Sequence, residues 1–323
     1  MQGNSTTEIT QFADDVLKGL SASPKYLSSK YFYDSEGSRL FQEIMKLPEY
    51  YLTNCERAIF ETQAAEILEA FAGSENAFDL IELGAGDGSK TAILIDRSLA
   101  RSVDVTYSAI DISQEALSGL GRTFSEKFPM LKVNLLDGDY LKILASLKHT
   151  SERRKVLLFL GSNIGNYSHD AAVELFRSLH TVMNSRDLLL VGFDLQKDPY
   201  VIAAAYDDDA GVTARFNLNL LKRIDREFGG DFDVAKFSHH SIYDPINGAA
   251  RSYLISGEAQ TVNIEALGRS FNFDEWEAVF VEVSQKYSMA AIDRLAEASG
   301  FSIEQNFLDD RQYYCDSLWA PTN

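Results

Sequence analysis

Along the chain, the spacing of apolar positions changes three times. Ile9, Phe12, Val16 and Leu20 recur at helical intervals up to a stop at "SASP". "TNCE", Thr53 to Glu56, has the form of a capping box, and Ile59, Phe60, Ile67, Leu68 and Phe71 follow on one helical stripe. The first 60 residues therefore read as helices and aromatic loops without strands. From Asp79 the pattern turns to strands alternating with helices. "FDLIEL", "VTYSAID", "KVNLLDGD", "KVLLFLG" and "DLLLVGFDL" read as strands. "SKTAILIDRSL", "SQEALSGLGRTFSEKF" and "HDAAVELFRSLHTVM" read as helices, with Ser113 as an N-cap. Near-continuous apolar strands separated by helices predict an α/β, doubly wound, mainly parallel sheet covered on both faces.

After Pro199 the alternation stops. A helical stretch from about Val201 to Phe228 leads into "ARSYLISGEAQTVNI" and "AVFVEVSQKY", which alternate as antiparallel strands do. The chain then returns to a helix, "MAAIDRLAEASGF", and a strand, "FSIEQNFL". This predicts an interrupted doubly wound domain. Residues 61–196 and 286–323 form the sheet domain, and residues 1–60 and 197–285 form a second α+β domain.

Composition narrows the partners. The formal charge of −18 over 323 residues argues against nucleic acid, whose phosphates would be repelled. The polar start "MQGNSTTEIT" predicts no export signal. Apolar runs such as "LLLVGF" are far shorter than the roughly 18 residues a membrane span needs, so no membrane partner is expected. Cys55 and Cys315 have no metal spacing; reduced, cytoplasmic, metal-free and monomeric is the expectation.

The stretch "DLIELGAGDGSKTAIL" carries the first chemical signal. Its glycines, Gly84, Gly86 and Gly88, miss the G-x-G-x-x-G spacing of a dinucleotide fingerprint, and no G-x-x-x-x-G-K-[ST] is present. Asp87 also places a carboxylate in the turn, where it would repel a pyrophosphate. A ligand with a cationic sulfonium and no phosphate, S-adenosylmethionine, suits the turn better. Asp111, closing the second strand, offers two acceptors to a ribose cis-diol, and Asp139 and Tyr140, after the third, fit an adenine amino group and ring face.

"ELGAGDG" resembles the first motif of class I methyltransferases, in which Glu82, Gly84 and Gly86 shape the floor under the cofactor. Four further stretches, "KYFYDSEGSRLFQEIMKLPEYY", "FLGSNIGN", "AYDDDAGVTARFN" and "EVSQKY", resemble in order the histidine Nα-methyltransferase family of ergothioneine biosynthesis. The resemblance runs from about Gly19 to the end. It implies methylation of the α-amino group of L-histidine, up to the trimethylated betaine, with S-adenosyl-L-homocysteine as the by-product. It further implies that Asn166 and Tyr206 bind the substrate carboxylate and that Tyr33 faces the α-amino group with Asn166. Tyr50, Glu282 and Ser284 would surround the imidazole, Thr213 would reach it through water, and Lys90 would serve the cofactor.

The residue chemistry agrees. Asn and Tyr are neutral donors for a carboxylate, and Glu282 with Ser284 can pair an imidazole. Methyl transfer asks the protein for alignment rather than for a nucleophile. One departure concerns the strand before the "AQ" turn, where histidine-specific members read Met-Trp-Leu and this chain has Ser252, Tyr253 and Leu254. Serine opens space and adds polarity, so another aromatic amino acid, or another nitrogen of histidine, is the alternative reading. A nucleotide-dependent oxidoreductase or a non-catalytic regulator stands further off, since the glycine spacing opposes the first and the retained cluster opposes the second.

Overall fold

The computed structural model describes residues 6–73, 76–147 and 153–322. They form two compact units, Met1–Tyr51 with Lys197–Ser284, and Leu52–Gln196 with Gln285–Asn323. In chain order the elements are α1 (Thr6–Leu20), α2 (Ser35–Ile44), α3 (Leu52–Ala72), β1 (Ala77–Leu83), α4 (Thr91–Ala100), β2 (Asp104–Asp111), α5 (Gln114–Lys127) and β3 (Lys132–Asp137). There follow α6 (Tyr140–Leu147), β4 (Lys155–Phe159), α7 (His169–Val182), β5 (Leu188–Asp194), α8 (Pro199–Tyr206) and α9 (Val212–Phe228). The remainder are β6 (Phe237–Asp244), β7 (Ala249–Ser256), β8 (Gln260–Ile264), β9 (Arg269–Phe273), β10 (Ala278–Gln285), α10 (Met289–Ala298), β11 (Phe301–Leu308) and β12 (Tyr314–Pro321).

In the larger unit the strands run β11-β12-β5-β4-β1-β2-β3. β3, β2, β1, β4 and β5 are parallel, while β12 is antiparallel to both β5 and β11. The order reverses at β1, so the crevice between β1 and β4 is the switch point at which such sheets bind ligands. This is the doubly wound, mainly parallel sheet expected from the pattern. β4 and β5 are buried at every position, as central strands covered on both faces must be. In the core, Phe176 of α7 meets Trp319 of β12 edge-on at 4.9 Å and Phe193 of β5 stacks on it at 5.7 Å.

β12 is absent from the sequence reading. Asp316 and Ser317 interrupt its apolar run, although both are completely buried. α3 also departs from expectation. It belongs to the sheet unit, its Phe71 packing edge-on to Phe78 of β1 at 5.6 Å and Gln63 donating to the Leu308 carbonyl at 2.8 Å. "TNCE" is not a capping box, because the helix begins at Leu52 and the Glu56 carboxylate is turned inward at 0% exposure. The Ser113 cap is as expected, accepting from the Ala116 amide at 3.2 Å. α6 is a further helix, its first turn fixed by Asp139, which accepts from the Lys142 amide at 3.0 Å.

The smaller unit contains the three-stranded sheet β10-β7-β6 and the β8-β9 hairpin. β6 and β7 pair antiparallel, with Ser241 opposite Ser252. The helical stretch after Pro199 is two helices. Asp208 ends the break between them by accepting from the Val212 and Thr213 amides at 2.8 and 2.7 Å, which caps α9. Phe216, Leu220 and Ile224 of α9 then pack with Leu254, Val279 and Val281 of the sheet. β6 was not legible, since "FSHHSIYD" is largely polar.

Glu82 gives the fold a pH dependence. It is 4% exposed, and Tyr107 of the neighbouring strand donates to its carboxylate at 2.5 Å. Burial raises its pKa from 4.5 to about 7, against the opposing bond from Tyr107. The folded protein thus holds a proton there that the unfolded chain releases near pH 4.5, so stability falls as pH rises from about 4.5 to about 7 and levels off above. A shift of this size corresponds to about 3 kcal/mol. Urea unfolding of the wild type and of Glu82→Gln between pH 5 and 8 should show the wild type losing stability relative to the variant. Parallel profiles contradict the assignment.

Candidate functional site

In the sheet unit, the expected cofactor residues gather at the carboxyl ends of β1, β2 and β3. Gly84, Gly86 and Gly88 all have positive φ, at 72°, 54° and 64°, a conformation that side chains rarely adopt. A β-carbon on Gly86 would meet nothing within 4 Å, so the turn is open there; one on Gly88 would strike Leu120 and Phe124 at 2.9 Å. The turn is tied to β2, because the Gly86 amide donates to Asp111 Oδ2 at 3.1 Å while Ser113 N–H takes Oδ1 at 2.9 Å. Each oxygen keeps a lone pair for a further donor. Asp87 Oδ1 accepts from the Ser89 amide at 2.9 Å, leaving the turn with an acidic side chain. Glu82 lies beneath it, its carboxylate directed to Tyr107.

This donor set fits S-adenosylmethionine. Carboxylates at Asp87 and Asp111 oppose a phosphate and favour a cation and a diol, and the open glycine turn admits close backbone approach. Tyr140 packs its ring against the core near Phe159, at 6.4 Å, and shares a hydrogen bond with the Tyr167 hydroxyl at 3.1 Å. Asp139 is exposed. Lys90 is differently engaged than expected: its ammonium contacts the buried carboxylate of Glu56. Burial works against its charge, but Glu56 outweighs that and holds its pKa above the ordinary value.

Asn166 ends the short 3₁₀ turn Asn163–Asn166 that follows β4. Gly161 and Ser162 both sit in the left-handed region there, with φ of 74° and 57°. Ser162, a non-glycine residue in that region, is strained and is held in place by its hydroxyl, which accepts from the Asp194 amide at 3.3 Å.

The smaller unit brings together most of the expected substrate residues. Tyr206 is buried and donates to Ser284 Oγ at 2.7 Å. Tyr33 keeps 46% of its surface open, yet its phenol is crowded. Desolvation first, then the nearby Glu282 and Tyr206, push its pKa far above the ordinary value, so it is a neutral donor at any working pH. Tyr33 meets Phe41 and Phe216 edge-on at 5.4 and 5.6 Å, and Tyr50 meets Phe41 at 6.1 Å. Thr213 is buried in the first turn of α9 behind the Asp208 cap. Ser252 is buried on β7, two residues from the core residue Leu254. Tyr253 packs on Phe280 at 5.8 Å.

Sequence reasoning missed Asp208, Phe41 and Phe216, which shape this cluster, and Glu56. A signal existed for Glu56. It precedes Ile59 and Phe60 by three and four residues, so it falls on the apolar stripe of its own helix, where a solvated charge does not belong. Among the described residues no helix is long and apolar enough to cross a membrane, and no group of three or more His, Cys, Asp and Glu side chains could hold a metal.

The model of a histidine-specific, SAM-dependent methyltransferase family matches residues 12–321. A histidine N-alpha-methyltransferase of Mycolicibacterium smegmatis is 36% identical over 285 residues, covering 88% of this chain and 87% of that protein. Its counterpart from Mycobacterium tuberculosis is 35% identical over 286 residues, with the same coverage. An L-tryptophan methyltransferase of Psilocybe serbica is 27% identical over 325 residues, covering 93% of this chain and 90% of that protein. With its glycine turn, its sheet order and a match over nearly its whole length, the chain belongs to the histidine-specific, S-adenosylmethionine-dependent methyltransferase family.

Proposed function

We propose that this enzyme methylates the α-amino group of L-histidine, up to the trimethylated betaine. In this reading the sheet unit holds the cofactor and the smaller unit recognises the amino acid. The observation that carries it is the grouping of Tyr33, Tyr206, Glu282 and Ser284 in the smaller unit. A carboxylate among neutral hydroxyls suits a ligand that presents an N–H and a second ring nitrogen, as imidazole does.

S-adenosylmethionine, when bound, supplies an electrophilic methyl group. The chain's residues align the amine. Tyr206 takes the substrate carboxylate as a neutral donor, and Tyr33, fixed by Phe41 and Phe216, orients the α-nitrogen. The α-ammonium of the amino acid gives up its proton to solvent before transfer, and the neutral nitrogen then attacks the methyl group. Glu282 accepts the imidazole N–H, Ser284 completes the pair, and Tyr50 and Thr213 close the pocket around the ring. Holding the amine in line is the main contribution, of a kind worth several kcal/mol. Asp111 accepts from the ribose hydroxyls, Gly84 and Gly86 serve the amino acid end while Lys90, paired with Glu56, holds the segment after the turn, and Asp139 and Tyr140 take the adenine.

Ser252 supports a second reading. A small polar residue stands where histidine-specific relatives are expected to carry methionine, and a relative of comparable length is an L-tryptophan methyltransferase. A larger aromatic amino acid is then the substrate.

Two substitutions test these roles. Asp111→Ala removes the diol acceptors and should weaken S-adenosylhomocysteine binding by about 1.5–3 kcal/mol, measured by calorimetry. Unchanged affinity rules out the assigned cofactor site. Glu282→Ala removes a charge-assisted bond of about 1.5–3 kcal/mol and should cut kcat/KM for histidine roughly tenfold to a hundredfold, with S-adenosylhomocysteine affinity unchanged. If histidine turnover survives intact, Glu282 does not read the imidazole.

A further inference from the structure

Glu56 is a buried charge of the sheet unit with partners on three separate segments. It lies on α3 at 0% exposure and meets three elements at once. Oε1 accepts from the Gly161 amide at 2.8 Å and from the Tyr314 hydroxyl at 2.9 Å. Oε2 contacts the Lys90 ammonium, at the residue immediately before α4. Space around it is tight. A β-carbon on Gly192 of β5 would lie 2.5 Å from Glu56 Oε1 and 2.5 Å from the Tyr314 hydroxyl, so only glycine at 192 leaves room for this arrangement. Asp316 pairs with Gly192 in the sheet and is also fully buried. Burial, then the charge of Glu56, pushes its pKa well above the ordinary value.

Gly161 opens the loop that carries Asn166, and Lys90 closes the segment that follows the glycine turn. One buried carboxylate therefore ties the loop after β4 to the segment that follows the glycine turn. A carboxylate taken out of water is tolerated only where its partners hold fixed positions, so the same bonds that compensate its burial also fix the two segments. We propose that Glu56 is a positioning residue for cofactor binding: through Gly161 and Lys90 it sets the Gly161–Asn166 loop and the start of α4 in their binding geometry. Glu56 itself touches neither reactant. The inference rests on the family's cofactor; only its consequence for turnover rests on the role that the family resemblance implies for Asn166.

The test uses the full chain without amino acid substrate, which separates it from the question of which amino acid is methylated. Glu56→Gln keeps the size of the side chain and one acceptor oxygen but removes the charge that holds Lys90. Tyr314→Phe keeps the charge and removes one donor. Gly192→Ala leaves every bonding group present and displaces them. Calorimetry with S-adenosylhomocysteine should show at least tenfold weaker binding for Glu56→Gln and Gly192→Ala, and a smaller loss for Tyr314→Phe. Amide hydrogen exchange in residues 161–166 should accelerate in the same order, while exchange in β4 and β5 stays protected. That local pattern is one a merely structural role would not produce. Wild-type affinity with unchanged exchange at 161–166 in Glu56→Gln overturns the proposal. So does a uniform rise in exchange across the sheet, which would make Glu56 a general stabiliser. Should Glu56→Gln fail to fold, Tyr314→Phe decides alone by the same two readouts.

Discussion

The bond from the Gly86 amide to the Asp111 carboxylate joins the ends of two neighbouring parallel strands, and the site in the sheet unit is arranged around it. The bond requires the chain to leave β1 by turning back on itself, which it does through left-handed glycines at 84, 86 and 88. That backbone is costly for any other residue, and the absence of side chains lets it approach a ligand. Asp111, placed there by the register of β2 against β1, is the anchor of the turn. A turn bearing carboxylates rather than an empty ring of amides selects against phosphates, so the choice of cofactor class follows from the same few residues that close the strand.

The smaller unit solves a different problem, holding polar side chains ready in a largely apolar setting. Tyr206 and Ser284 satisfy each other, and Asp208 satisfies the start of α9, which lowers the cost of burying these groups. The aromatic set of Phe41, Phe216 and Tyr50 then fixes Tyr33 by packing. In such a pocket specificity comes from which polar group is left unmatched by the wrong ligand.

Much of this was legible beforehand where a signal is local. The parallel strands announced themselves as apolar runs, the glycine turn as a spacing, and Asp111 as the acidic residue closing a strand. What escaped depended on distant partners. β12 carries Asp316 and Ser317 at fully buried positions, so its polarity pointed to the surface. Glu56 matched a capping-box pattern that requires only local sequence, while its actual partners lie 34, 105 and 258 residues away. Asp208 was passed over within "YDDDAG", where three adjacent acids look alike until the fold decides which one faces the amides of α9.

The most direct measurement is the identity of the methylated product. Wild-type enzyme incubated with S-adenosylmethionine and, separately, histidine, tryptophan, tyrosine and phenylalanine should methylate histidine in preference, with NMR locating the new methyl groups on the α-nitrogen. Histidine left unmodified while another amino acid is consumed, or a methyl group found on an imidazole nitrogen, contradicts the account.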